Sequence, residues 1–280
     1  MDWAKIDNLI ALALAEDMPA GDITTEAVVP PEVQAKAVFL AKQDGLLAGI
    51  DIAARVLAKV DPEIMFKKIR EDGQEFVNGQ ILAEVRGRAA SILKAERTAL
   101  NFLQRLSGIA TLTRSFVEAV KGTRARILDT RKTTPGWRPL EKYAVRMGGG
   151  QNHRLNLSEM MMIKDNHIKI AGGIALALKK AREYLKAKNL LGIVVEVEAT
   201  NLTEVKEALE NGADWIMLDN MPLDQIKAAV ELVGGKVPLE VSGKVNLQTV
   251  RTLALTGIDY ISVGALTHSY KSADISLEFI

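Results

Sequence analysis

The rhythm of apolar and polar positions changes about a third of the way along the chain. Ile6, Leu9, Ile10, Ala13 and Leu14 recur at helical spacing, and "EDMPAGD" then breaks the pattern with proline and glycine. Two strand-like runs follow, "AKAVFLA" and "QILAEVRG", with turns at "QDG" and "EDG" and a helical stretch near 50–60. That mixture predicts an α+β unit. Leu93, Leu100, Leu103, Leu106, Leu112, Phe116 and Val120 then mark long helical material, which Ser107 and Gly108 are expected to interrupt. A domain boundary is placed there, dividing 1–107 from 108–269.

Beyond it, short apolar runs alternate with helical ones. "ARILDT", "MMMIKD", "GIVVEVEA", "DWIMLDN", "PLEVSG" and "DYISVGAL" read as six strands, and amphipathic segments such as "LTEVKEALENG" and "LDQIKAAVELVGG" lie between the later ones. The alternation predicts βα units and a parallel sheet buried on both faces. An α/β barrel is the leading closure. A doubly wound open sheet is the alternative, although no strand leads into a GxGxxG turn.

Each predicted strand ends in something polar. Asp129 and Thr130 end the first, beside Arg131 and Lys132; Lys164 and Asp165 end the second; Glu198, Asp219, Ser242 and Gly264 end the rest. In α/β barrels the C-terminal strand ends and their loops build the active site. Cations therefore come from the first two strands and their loops, Arg154 included, and acids from the next two. The last two supply Ser242, Gly243 and Gly264, where backbone N–H groups can approach a phosphate. Two carboxylates suit Mg²⁺, which completes its shell with water and substrate phosphates. The pattern points to a phosphorylated, metal-chelated substrate and a separate anion.

Plainer readings exist for each feature. Lys164 could pair with Asp165 or Glu198 and only brace the barrel, and Glu198 and Asp219 could be structural ion-pair partners. Arg138, Lys142 and Arg146 fall at helical spacing in "RPLEKYAVRMG" and read as a solvated face. His167 divides evenly between core hydrogen bonding and function, and the methionine run 160–162 reads as core packing. Gly264 could mean only close strand packing, and the glycines at 148–150 only a mobile loop.

Bulk properties narrow the choice. The chain has 280 residues, 48% hydrophobic and 25% charged, with a net charge of +1. That near balance argues against a general nucleic-acid binder. No apolar run is long enough for a transmembrane helix, and the start has no signal-peptide core. There is no cysteine for disulfides, thiolate metal sites or a thiol nucleophile, and three histidines make an imidazole zinc site unpromising. A cytoplasmic location is the expectation.

Taken in order, "DTRKTTPG", "KYAVRMGGGQNHR", "MIKDNHI", "VEVEA", "MLDN", "EVSGKV" and "SVGALTHS" resemble the quinolinate phosphoribosyltransferase family, the carboxylating nicotinate-nucleotide pyrophosphorylases. "ALAEDMPAGDITTEAVVP" and "AERTALNFLQRLSGIAT" extend the resemblance over nearly the whole chain. Two departures are Lys244, where the family often has a second glycine, and the bulky Trp137. The resemblance implies an N-terminal α/β sandwich domain and a seven-stranded open α/β barrel of the type II phosphoribosyltransferase kind. The tail 270–280 would return to the first domain. It also implies a homodimer with shared sites, in which Arg97 reaches the partner's barrel, the assembly above a dimer being left open.

The implied reaction joins quinolinate to phosphoribosyl pyrophosphate with Mg²⁺, giving nicotinate mononucleotide, pyrophosphate and CO₂. Arg97, Arg131, His153, Arg154 and Lys164 would hold the two quinolinate carboxylates. Lys132, Glu198 and Asp219 would meet the phosphoribosyl pyrophosphate and its metal, and Ser242, Gly243 and Gly264 its 5′-phosphate. Lys132, Lys164, Glu198 and Asp219 would be the catalytic set. Bidentate arginine–carboxylate pairs fix a ring plane as well as neutralising charge. Rivals are a relative acting on another aromatic acid, a Schiff-base barrel using Lys164, and a non-catalytic phosphate-binding module.

Overall fold

The structure, a computed structural model, describes residues 2–280. Two compact units divide the chain. One holds residues up to Arg114 together with 134–149 and 269–280; the other holds 115–133 and 150–268.

The first unit is built on strands β1 (Gln34–Ala41), β2 (Gly45–Leu46), β3 (Met65–Lys68), β4 (Glu75–Phe76) and β5 (Ile81–Arg88). β5 pairs antiparallel with β1 on one side and β3 on the other. The helix Ile50–Val60 buries Ile52, Ala53, Val56 and Leu57. Gly49 opens it at φ 98°, and the Asp72 carboxylate accepts the Gly49 and Ile50 N–H groups at 2.8 and 3.0 Å. An anion there answers the positive end of the helix dipole.

The long helix Ala89–Ala119 runs unbroken through Ser107 and Gly108, so the expected interruption does not occur. Ser107 Oγ accepts the Ala48 N–H at 3.1 Å and lies 3.3 Å from the Ala48 carbonyl as its donor. A Cβ on Gly108 would stand 2.1 Å from the Lys271 carbonyl oxygen. The glycine admits a neighbouring backbone, and packing offsets its helix penalty of roughly 1 kcal/mol. The compact units part inside this helix, after Arg114.

The same helix carries Arg105, whose guanidinium lies over Trp137 at 4.6 Å and Tyr270 at 5.3 Å. Trp137 stacks in turn on Phe102 at 4.6 Å, which accounts for its bulk. Arg105 donates to Glu141 and to Thr134 Oγ1, and Glu141 also accepts the Thr134 N–H at 3.1 Å. The helix Arg138–Met147 is therefore no solvated face: Glu141 is fully buried, Lys142 is 1% exposed and Arg138 half-buried, with only Arg146 of the three cations exposed. Helical spacing marks a face but does not say which side is packed.

In the second unit β6 (Arg126–Leu128), β7 (Met161–Ile163), β8 (Val195–Ala199), β9 (Trp215–Asp219), β10 (Leu239–Ser242) and β11 (Tyr260–Ser262) form a parallel sheet in the order β6-β11-β10-β9-β8-β7. A single bridge from Leu128 to Gln151 extends it beyond β6. Chain order around this ladder is cyclic, as in a barrel, with the break falling between the Gln151 bridge and β7. The expected seventh strand is thus reduced to one bridge. Helices Ile174–Ala187, Leu202–Glu210 and Leu223–Val233 bury Leu178, Val205 and Ile226 among others, covering the sheet's outer face.

The last strand, β12 (Ile275–Phe279), belongs to the first unit. It pairs antiparallel with β1 and completes the order β12-β1-β5-β3.

Candidate active site

Strand side chains alternate between faces, so residues two apart share one. Glu196 and Glu198 share a face of β8; Trp215, Met217 and Asp219 share one of β9; Glu240 and Ser242 share one of β10. Register sets Asp219 beside Ser242 and Glu196 beside Trp215. The strand-end residues form an upper layer, and Glu196, Trp215, Glu240 and Tyr260 a lower one.

The upper layer brings cations and acids together. Lys164 donates directly to Glu198 Oε1, choosing that partner over Asp165. Arg154 is half-buried, and one guanidinium N–H reaches the Met160 carbonyl at 2.9 Å. Burial, and after it the charge of Arg131, holds the Arg154 pKa below the usual guanidinium value. Arg131 is half-buried too, and its Nε is buried without a hydrogen-bond partner. Two neighbouring guanidiniums, one with an unanswered buried donor, make a site for an anion.

Lys132 is exposed at the loop's turn. Its N–H reaches Thr130 Oγ1 at 3.0 Å and its carbonyl accepts from Thr267 Oγ1 at 2.8 Å. A Cβ on Gly264 would lie 3.1 Å from Lys132 Cδ and 3.0 Å from His268 Nε2, so glycine lets the lysine stem lie close. Opposite, the Asn220 N–H donates to the Ser242 carbonyl at 2.9 Å, and its side-chain amide reaches Asp219 at 2.9 Å. Asn220 (φ 53°), Gly243 (φ 102°) and Lys244 (φ 50°) are all left-handed. A Cβ on Gly243 would fall 2.2 Å from Asn220 Oδ1. The chain therefore turns sharply at the end of β10, and backbone N–H groups in a turn can meet a phosphate.

Arg97 belongs to the first unit, exposed on its long helix. His167 is exposed and serves locally: its Nδ1 accepts the Lys164 N–H at 3.0 Å, opening the helix Asp165–Ala171.

The lower layer was invisible to the strand-end reading. His153 is 9% exposed, while Glu196 and Glu240 are fully buried. His153 Nε2 lies 3.1 Å from Glu196 Oε2 and 3.4 Å from Glu240 Oε2, and its Nδ1 accepts the Arg154 backbone N–H at 2.8 Å. Fully buried Asp129 accepts the His153 N–H at 2.9 Å. The available signal was the acid two residues before each strand end, in "VEVEA" and "LEVSG", since a lone charge inside an apolar strand shares a face with the terminal one.

Burial pulls the imidazole pKa down, but the hydrogen bonds and charges of Glu196 and Glu240 outweigh it and raise it to about 9. Burial likewise pushes the Glu196 carboxyl up, against the hydrogen bond from His153. The backbone donor on Nδ1 opposes a proton there, because a doubly protonated ring would set N–H against N–H. That contact works against the rise, and the geometry places a proton on Nε2, toward the two carboxylates.

Two family profiles match the chain: "Quinolinate phosphoribosyl transferase, N-terminal domain" over residues 22–107, and the corresponding C-terminal domain over 109–278. A quinolinate phosphoribosyltransferase (decarboxylating) 2a, mitochondrial, of Nicotiana tabacum is 46% identical over 98% of this chain and 82% of its own. A probable nicotinate-nucleotide pyrophosphorylase (carboxylating) of Bacillus subtilis is 41% identical over 99% and 94%. The structure of the nicotinate-nucleotide pyrophosphorylase from Francisella tularensis superposes with a TM-score of 0.95 at 41% identity, covering 100% of this chain and 98% of that one.

Proposed function

The chain belongs to the quinolinate phosphoribosyltransferase family, and from that membership we propose that it transfers phosphoribosyl from phosphoribosyl pyrophosphate to quinolinate with loss of CO₂, a step of NAD biosynthesis. The observation that carries the reading is the pair Arg131 and Arg154, half-buried together with an unpartnered Nε, beside Lys164 and the acids Glu198 and Asp219. A flat aromatic dicarboxylate matches two neighbouring guanidiniums. Each charge-assisted bond contributes about 1.5–3 kcal/mol net, so three or four suffice for micromolar binding, near −8 kcal/mol.

Arg131, Arg154 and Lys164 hold the ring with its nitrogen toward the ribose carbon, and Arg97 adds a cation from a second copy of the chain in a homodimer. Lys132 neutralises the phosphoribosyl pyrophosphate, while Ser242, Gly243 and Gly264 cradle its 5′-phosphate through backbone N–H groups. Glu198 and Asp219 offer hard oxygen donors on neighbouring strands, a set that fits Mg²⁺. Bound there with the substrate, the metal would neutralise charge gathering on the departing pyrophosphate. A carboxylate beside the ribose favours its oxocarbenium character. Attack by the pyridine nitrogen leaves a ring cation next to the 2-carboxylate; that positive charge stabilises the electron pair left on C2 as CO₂ departs, and C2 then takes a proton from water to give nicotinate mononucleotide.

Among the described residues no helix is long and apolar enough to cross a membrane. A cytoplasmic location is part of the reading we propose. Incubation with quinolinate, phosphoribosyl pyrophosphate and Mg²⁺ tests the reading: one CO₂ should appear per nicotinate mononucleotide, and nicotinate should not replace quinolinate. Turnover of nicotinate in preference, without gas, would overturn it in favour of another aromatic acid.

A further inference from the structure

The lower layer poses a thermodynamic question. Glu196 and Glu240 have no solvent exposure; Glu196 Oε1 and Glu240 Oε1 lack hydrogen-bond partners, and Glu240 Oε2 has only the long 3.4 Å contact with His153 Nε2. A buried unsatisfied carboxyl group destabilises a fold, and well-packed apolar residues of similar size are often neutral or better in such places. Something other than folding stability accounts for two of them beside one imidazole.

The geometry around His153 supplies it. Its Nε2 faces the two carboxylates, and its Nδ1 takes the N–H of the next residue. That next residue is Arg154, whose guanidinium stands beside Arg131 in the upper layer. Asp129 holds the His153 N–H from the strand that feeds the Arg131 loop. Ring orientation and backbone course at 153–154 are therefore one rigid unit, and the Arg154 side chain leaves from it.

We propose that Glu196 and Glu240 are positioning residues for quinolinate binding: they hold the His153 ring through Nε2, so that its Nδ1 fixes the Arg154 backbone and aims the guanidinium. The proposal rests on the reading above that Arg154 takes a quinolinate carboxylate. Both acids act through His153 and touch no substrate. A misplacement of about 1 Å in such a clamp can cost on the order of a hundredfold.

The experiment compares Glu196→Leu and Glu240→Leu with Glu196→Gln, Glu240→Gln and Arg154→Ala, measuring quinolinate and phosphoribosyl pyrophosphate binding by calorimetry together with Tm. The leucine variants should bind quinolinate about tenfold or more weakly, bind phosphoribosyl pyrophosphate within about twofold of wild type, and keep or raise Tm. Glu196→Gln retains an acceptor for Nε2–H and should recover most of the binding. The ¹⁵N spectrum, recorded above about pH 9 where the ring is neutral, should show His153 protonated at Nε2 in the wild type and a mixed tautomer in the leucine variants.

A fall in Tm with equal loss of both substrates would make the acids purely structural and overturn the proposal. So would a stoichiometric divalent metal in the purified protein that Glu240→Leu abolishes, since the cluster would then be a metal centre. Wild-type quinolinate binding in the leucine variants alone sinks the positioning role. Wild-type binding in Arg154→Ala sinks the acid-clamp reading beneath it.

Discussion

Lys164 and Glu198 are bonded to each other across β7 and β8, although the sequence reading assigns one to quinolinate and the other to the phosphoribosyl donor. Each sets the other's charge environment, so the two substrate subsites are coupled. Lys164→Ala should weaken quinolinate binding and also alter donor binding. A double-mutant cycle with Glu198→Gln should show a coupling of about 0.5–3 kcal/mol. Strict additivity in the catalytic constants would mean that the pair separates before either substrate arrives.

Asp219 is less committed, with the Asn220 side-chain amide as its close donor. Asp219→Asn keeps that shape and removes the charge. The Mg²⁺ concentration giving half-maximal rate should rise about tenfold or more, as loss of a hard ligand would require. Quinolinate affinity, measured calorimetrically without donor, should stay within about twofold. Equal losses in both would remove Asp219 from the metal's surroundings.

The phosphate loop holds a contrasting pair. Gly243→Ala adds a Cβ at 2.2 Å from Asn220 Oδ1 on a left-handed backbone, and should cost about 2–4 kcal/mol in stability. Donor binding should fall with it. Lys244 occupies φ 50° where glycine is at ease, so Lys244→Gly should raise stability by up to about 1 kcal/mol. Denaturant titration of the two variants measures both signs. A destabilised Lys244→Gly would show that the lysine side chain contributes more than its backbone strain removes.

In the first unit, Asp61 is 2% exposed and accepts from Arg88 Nε at 2.9 Å and from the Glu63 N–H at 3.0 Å. The Arg88 guanidinium first, then Ser91, hold its carboxyl far below the usual carboxylate range against the effect of burial. A depressed folded pKa gives stability that is complete above the unfolded value and fades as pH falls below it. Arg88 is 47% exposed, so solvent screening keeps Asp61→Asn to a loss of about 1–2 kcal/mol at pH 7. Urea midpoints should differ at pH 7 and converge below about pH 4; a gap constant down to pH 3 would assign the loss to packing instead.

Much of this protein is local and therefore legible along the chain. The six parallel strands fall within "ARILDT", "MMMIKD", "GIVVEVEA", "DWIMLDN", "PLEVSG" and "DYISVGAL", because an apolar run between amphipathic helices has few places to go but a sheet covered on both faces. Strand-end Lys164, Glu198, Asp219 and Ser242 were visible for the same reason, since the period of two carries a polar terminus onto a predictable face.

What the tertiary structure decided is where two readings were equally good locally. Gly108 punctuates a helix in sequence, yet only the Lys271 carbonyl against it explains why the helix continues. Lys142 reads as part of a solvated face, yet the folded chain buries it along with its neighbour Glu141, which Arg105 holds. His153 enters the sequence reading only through the resemblance, as a quinolinate ligand, and nothing in the sequence pairs it with Glu196, 43 residues on, or with Glu240. Pattern and spacing are set by neighbours in the chain, but burial and hydrogen-bond partners belong to residues that only folding brings side by side, and those settle the charge and orientation of every group in the site.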